Sequence, residues 1–220
     1  KLKLVLSHKN DHEKSTIYSK NFITVEKDSK LILIEKFEDK ISSDSNIINY
    51  FDLKPGAQVT HLVIQNNAED SNLLLTSHVN CNKNSNFKQF IFNSSKGFIR
   101  NHHYADLIGE NANVNLSGVF LASNKQIVDN KTVANHLNPN CKSNQVYKAI
   151  LSDQAKGNYL SNTYVNRLAQ KTEAYQLSKG IILSDEAIFH SKPELKIFAD
   201  DVKCSHGSTI GPFDDDIVFY

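Results

Sequence analysis

The chain contains no methionine and no tryptophan, and its only arginines are Arg100 and Arg167. Most nucleic-acid readers rely on bidentate guanidinium forks, and a formal net charge of +1 supplies no global field to replace them. Neither a nucleic acid nor an anionic membrane surface is therefore expected as partner. Methionine is missing even at residue 1. That reads as an internal piece of a longer protein, or as a sequence from which methionine positions have dropped out, so compact motifs carry more weight than long-range periods. Cys81, Cys141 and Cys204 stand alone, with no CxxC pair and an odd total, which excludes a disulfide framework or a zinc ribbon and suits a reducing compartment. No run approaches the ~20 apolar residues of a membrane helix, and the opening Lys1-Leu2-Lys3-Leu4-Val5-Leu6-Ser7 is too short for a signal peptide. The chain reads as soluble and intracellular. Phosphate-loop, nucleophile-elbow and catalytic-triad signatures are absent too, which leaves an ATPase or hydrolase without a site.

Present from end to end are short extended runs: Lys30–Ile34, Gln58–Ile64, Asn72–Thr76, Phe87–Phe92, Val114–Phe120, Gln145–Ile150, Ala174–Leu177 and Glu194–Phe198. Clusters of turn residues separate them, such as Asn66–Asp70, Asn82–Asn86 and Gly109–Asn113. No segment holds a 3.6-residue apolar period, and nothing marks a linker, so residues 1–220 read as a single all-β domain. Many short strands fit a sandwich or a parallel solenoid. Asn-Gly and Asp-Gly, the strongest two-residue hairpin signals, do not occur, and with Asn-rich corners this favours the solenoid. Coils of roughly 20 to 25 residues would give about nine or ten turns. The open strand edges at the ends of a solenoid must be capped or paired with another chain.

The densest group of reactive side chains is Asp200-Asp201-Val202-Lys203-Cys204-Ser205-His206, near the C-terminus. In an extended segment, Cys204 and His206 project beside Val202 while Lys203 and Ser205 point away. A thiol and an imidazole so placed suit soft metal chemistry, but a Cys-x-His step lacks the paired ligands of a zinc finger, so further ligands must come from elsewhere. The bland alternative is a half-buried strand with a small thiol and a hydrogen-bonded ring. Adjacent Asp200 and Asp201 fall on opposite faces, which suits a solvated turn better than an acid and base pair. His102 and His103 likewise diverge, as exposed or core-satisfied histidines. Tyr104, Asp106 and His136 show no recognisable spacing, and Cys81 and Cys141 read as inert buried thiols.

The C-terminal third resembles the SufB/SufD family, scaffold subunits of SUF iron–sulfur cluster assembly, and within it the SufD branch. The matching text is Gln170-Lys171-Thr172-Glu173-Ala174-Tyr175-Gln176-Leu177-Ser178, then the block from Ser191 to Gly211 containing Ala199-Asp200-Asp201-Val202-Lys203-Cys204-Ser205-His206-Gly207, and the tail Asp214–Tyr220. Weaker similarity runs through Gly109-Glu110-Asn111 and Val146–Asp153.

The resemblance implies a right-handed parallel β-helix, with the family's flanking helical regions absent from this chain. It implies a non-enzymatic scaffold that pairs with a SufB-like paralogue and is driven by a SufC-type ATPase through helices outside these residues. It also implies a transient iron–sulfur cluster at the interface between the scaffold subunits, shared with the partner and not tightly held by the isolated chain. The family's SufD histidine maps onto His206, a transient metal contact, with Cys204 as its neighbour at the assembly interface. The cysteine supplied by SufB would fall where this chain has Glu173-Ala174-Tyr175-Gln176, without a thiol, which supports the SufD branch. Cytoplasm is the expected location, with a plastid-type organelle as alternative. A homodimer in isolation, a metal-free self-associating scaffold and a β-helix enzyme acting on polysaccharide stay open as competing readings.

Overall fold

The computed structural model describes residues 1–9, 15–38 and 41–212, and among them the regular elements are all β-strands. Eight strands form one sheet in the order β1 (Leu2–His8), β3 (Lys30–Phe37), β5 (Gln58–Gln65), β7 (Asn86–Asn93), β9 (Asn113–Ala122), β11 (Lys142–Leu151), β13 (Thr172–Ile182) and β15 (Val202–Pro212). Seven form the other: β2 (Thr16–Val25), β4 (Asp44–Leu53), β6 (Asn72–Cys81), β8 (Phe98–Leu107), β10 (Ile127–His136), β12 (Lys156–Val165) and β14 (Ile188–Ile197). Odd strands lie in one sheet and even strands in the other, so the chain changes sheet at every turn and meets its previous coil in parallel. This is the expected parallel β-solenoid, with about seven turns.

The expected coil of 20 to 25 residues is too short. Successive coils are offset by 26 residues at Asn72 and Phe98 and by 32 at Lys156 and Ile188. The reason is geometric: most coils hold two long strands, commonly of 10 residues, joined by short turns. The result is two facing sheets, in which alternate residues point into one narrow core.

One line of corners explains the abundance of Asn and Asp. Asp28, Gly56, Asn84, Asn111, Asn140 and Lys171 occupy successive turns, all with positive φ between 56° and 74°. Asn and Asp tolerate this left-handed conformation better than other residues with a Cβ. It turns each N–H toward the next coil: Gly56 donates to the Lys83 carbonyl, Asn84 to Glu110 and Asn140 to Gln170, each at 2.9 Å. A corner that satisfies its backbone through the next corner has no use for a hairpin turn, which accounts for the missing hairpin dipeptides.

Inward positions carry the core. Leu33, Phe51, Leu53, Phe87 and Leu116 fill the N-terminal half; Phe120, Tyr147, Leu151 and Tyr159 fill the other. Gly118 makes room for Tyr147, because a Cβ there would lie 2.7 Å from that ring. Yet the core is far from uniformly apolar. One interior column of the 8-stranded sheet reads Leu4, Leu33, His61, Gln89, Leu116, Gln145, Gln176 and His206, in register from β1 to β15. It holds two histidines, one deep inside and one on the last strand.

Candidate functional site

β15 is the edge strand of its sheet and pairs with β13 alone among the described residues. Its register matches Val202, Cys204 and His206 to the inward residues Thr172, Ala174 and Gln176, so all three share the interior face, as expected. Lys203 and Ser205 point outward and are exposed. Among the described residues no strand pairs with the outer edge of β15, and His206 is exposed, whereas Cys204 is half-buried against Val165, Ala169 and Ala199. Burial pushes the Cys204 thiol above its ordinary range, against a smaller lowering by a backbone hydrogen bond at Ala174. Cys204 is therefore a protonated packing thiol at neutral pH, and His206 is the group free to meet a ligand.

A braced polar layer lies directly beneath. The Gln176 amide donates to Thr163 Oγ1 at 2.9 Å and to the Glu194 carbonyl at 3.3 Å. One coil earlier, Gln145 repeats this arrangement, donating to the same Thr163 Oγ1 at 2.9 Å and to the Asn162 carbonyl at 3.3 Å. Ser178 shares hydrogen bonds with Ser191 and Ser208, tying β13 to both last strands. Hydrogen-bonded side chains that span both sheets fix the strand carrying His206 without covering its ring. Asp200 and Asp201 form the expected turn: the Asp201 carbonyl accepts from the Lys171 N–H and its own N–H donates to Gln170 Oε1.

The other residues singled out by sequence lie apart from this end. His102 points outward, 3.9 Å from Asp129, and His103 points inward, so the adjacent pair does diverge. His103 is buried, but it is not core-satisfied: neither ring nitrogen has a hydrogen-bond partner, and burial lowers its pKa to about 3. His136 is buried and bonded to Ser143 at 2.8 Å. Tyr104 belongs to an outer ladder of stacked rings, and Asp106 accepts from the Asn135 amide. Cys81 is a buried thiol whose pKa burial pushes up to about 12, and Cys141 is buried as well, donating to the Gly109 carbonyl at 3.2 Å. The tail Asp214–Tyr220 lies outside the described residues.

Sequence reasoning missed a buried ionic cluster near the opposite end. Glu35 is fully buried; its carboxylate meets His8 Nε2 at 2.9 Å and His61 Nε2 at 2.9 Å, and accepts from the Asn49 amide at 2.8 Å. Gln89 reaches His61 Nδ1 at 3.1 Å; with the amide donating, the ring's Nε2 carries the proton given to Glu35. Burial alone would raise the Glu35 pKa, but the hydrogen bonds from His61 and His8 outweigh it and hold the value at about 2. The signal was present in the sequence: in Leu31-Ile32-Leu33-Ile34-Glu35-Lys36-Phe37, the acid shares the parity of the inward Leu31, Leu33 and Phe37. Among the described residues no group of three His, Cys, Asp or Glu side chains could hold a metal ion.

Stacked aromatics on the outer face bear on a sugar platform. Phe22, Tyr50, His78 and Tyr104 stack ring on ring, with centroids 5.2, 5.1 and 4.9 Å apart and planes within 12°. Tyr50 and His78 spend both faces on their neighbours, and the end rings Phe22 and Tyr104 are approached by Lys20 and Lys131, 5.2 and 5.6 Å from the ring centres. Such a stack braces the sheet and offers edges, not faces, to a polysaccharide.

In class, the fold is a parallel β-solenoid of about seven turns that carries an exposed imidazole on its last described strand. Comparison with known proteins gives the family. Residues 7–220 match the model described as SUF system FeS cluster assembly, SufBD core domain, and the chain belongs to that family. Similar relatives include an iron–sulfur cluster assembly SufBD family protein of Synechocystis, 31% identical over 80% of this chain and 39% of the relative. The iron–sulfur cluster assembly protein SufD of Escherichia coli is 32% identical over 56% of this chain and 29% of its own length. The chloroplastic protein ABCI7 of Arabidopsis thaliana is 27% identical over 90% and 43%. The chain thus spans less than half the length of these relatives. Among the described residues no helix is long and apolar enough to cross a membrane.

Proposed function

We propose that this chain is the core of a SufD-like, non-catalytic scaffold subunit, and that His206 contacts an iron–sulfur cluster while the cluster is being built. The carrying observation is the position of His206, on the edge strand β15, whose outer side pairs with no strand among the described residues, above a braced glutamine and serine layer. The cluster is cargo, and one imidazole with one protonated thiol cannot complete its ligand set. A second subunit must supply thiolates. The β15 edge offers that partner a row of free backbone groups, which suits pairing with a SufB-like paralogue. The stretch Glu173-Ala174-Tyr175-Gln176, paired in register with Lys203-Cys204-Ser205-His206, stands where a subunit of the partner type would carry a cysteine. A SufC-type ATPase acts through segments beyond this core. Cytoplasm and plastid both suit the function, the latter in line with the Arabidopsis relative's printed name.

The test is reconstitution with a SufB-like and a SufC-like protein. Wild type is expected to enter a three-component complex that accumulates cluster on addition of iron and sulfide. His206→Ala should enter the same complex and fail to accumulate cluster, and a normal yield from that variant would overturn the assignment.

A further inference from the structure

The outward faces of the two sheets differ in charge. On the 7-stranded sheet, Asp44, Asp52, Asp106, Asp129 and Glu194 are interleaved with cations, as where Arg100 meets Asp129 at 2.8 Å. Among the described strands of the 8-stranded sheet the one outward acid is Glu173, and Lys142 already pairs with it at 2.9 Å. Lys3, Lys30, Lys88, Lys148, Lys179 and Lys203 project from the same face, and none makes an ion pair among the described residues. Since the whole chain carries only +1, the excess is a local property of this face.

Through these lysines runs an apolar stripe. Val5, Ile34, Leu62, Phe90, Val146 and Leu177 occupy one outward column in register from β1 to β13, broken only by Ser117. Val5 is 52% and Phe90 41% exposed. Lys3 and Lys88 stand two residues before the stripe on their strands, and Lys148 and Lys179 two residues after, so cations border both sides. An extended apolar surface rimmed by one sign of charge marks a binding face, and the sign selects the partner. A second copy docking face to face would set lysine against lysine. A bilayer would need apolar groups standing proud of the lysines, whereas Ile34, Leu62, Val146 and Leu177 are only partly exposed.

The dimensions point to a helix. Seven strands at about 4.8 Å spacing carry the stripe for roughly 29 Å, the length of a helix of about 20 residues at 1.5 Å per residue. At β5, β7 and β9 the stripe is widened by Ile64, Phe92 and Val119 in the next outward column, and a band one to two residues wide suits the apolar face of an amphipathic helix. We propose that this face docks an acidic amphipathic helix of about 20 residues carried by a partner protein, lying along the solenoid axis with its acids over the flanking lysines. The inference does not depend on the role given to His206.

The probe is a synthetic 20-residue helix with leucines on one face and glutamates on both flanks, titrated against the intact chain by fluorescence anisotropy. Controls are the same peptide with lysines for glutamates, a scrambled peptide, vesicles containing 30% phosphatidylserine, and sedimentation of the protein alone. Saturable binding of the acidic peptide is expected, weakening as salt rises and at least about tenfold weaker in Phe90→Glu, with Lys148→Glu reducing it mainly at low salt. The proposal is overturned if the acidic and lysine peptides bind alike, if Phe90→Glu has no effect while the fold is intact, or if the face instead takes up vesicles or a second copy.

Discussion

His61 and His206 occupy the same interior column, five strands of one sheet apart, yet they stand in opposite conditions. His61 is enclosed: one ring nitrogen faces the Glu35 carboxylate, the other faces Gln89, and the ring packs between Phe51 and Phe87. His206 has the same orientation and a glutamine beneath it, but among the described residues no strand pairs beyond it and it makes no ion pair. Placement in a solenoid repeat therefore does not by itself enclose a histidine. His61 has a strand on either side in its sheet, and His206 has one on a single side among the described residues.

The largest effect should come from breaking the enclosed end. Glu35→Ala leaves His8, His61 and Asn49 facing an empty site, and is expected to cost about 3–5 kcal/mol, read as a lower urea midpoint at pH 7. Acid should find the same weakness without mutation. A carboxylate held at about 2, below its ordinary 4.5, contributes stability that is complete above 4.5 and lost as pH falls from there toward 2. Burial holds His103 at about 3 and His136 at about 4, below the ordinary 6.5, so each favours the fold above 6.5 and withdraws that support as pH falls toward its own value. Unfolding followed from pH 8 to pH 3 should thus show a decline starting near 6.5 and steepening below 4.5. A flat profile down to pH 4 would contradict the assignment of both histidines as neutral and buried.

Smaller effects sharpen the contrast. Gly118→Val drives a side chain into the Tyr147 ring and should cost about 1–3 kcal/mol in thermal or urea unfolding, with no bearing on the open end. His103→Leu replaces a ring whose nitrogens are both unpartnered, so it should be neutral or stabilise by about 1 kcal/mol, and should flatten the decline between pH 6.5 and pH 4.5. Destabilisation by His103→Leu together with an unchanged profile would mean that the ring is satisfied after all.

Much of this was written plainly in the chain, though unevenly. The strands of the 8-stranded sheet, such as Lys30–Phe37 and Gln58–Gln65, carry apolar residues on both faces and stand out as continuous runs. β8, β10 and β12 do not stand out as apolar runs because polar residues interrupt their inward faces, among them Asn101, His103, Asn130, Thr132, Ser161 and Thr163. A pattern search that equates inward with apolar passes over a solenoid whose core is partly hydrogen-bonded. Skipping those strands also shortened the apparent coil. At the candidate site, alternation placed Cys204 and His206 on one face. That the thiol is packed depends on Val165 and Ala169, which are remote in sequence. Glu35 was legible by parity, but its partners His8 and His61 lie a coil away on either side.

The central claim is that one column holds a structural histidine and a working one, and the two can be exchanged in a single paired measurement. His61→Ala and His206→Ala are each assembled with the SufB-like and SufC-like proteins, and the urea midpoint and the cluster yield per folded complex are measured on the same samples. His61→Ala is expected to lose about 2–4 kcal/mol of stability and keep its yield per folded complex, while His206→Ala holds its midpoint within about 0.5 kcal/mol and loses the cluster. An undiminished yield from His206→Ala, or an equal loss of yield from His61→Ala, would contradict the account.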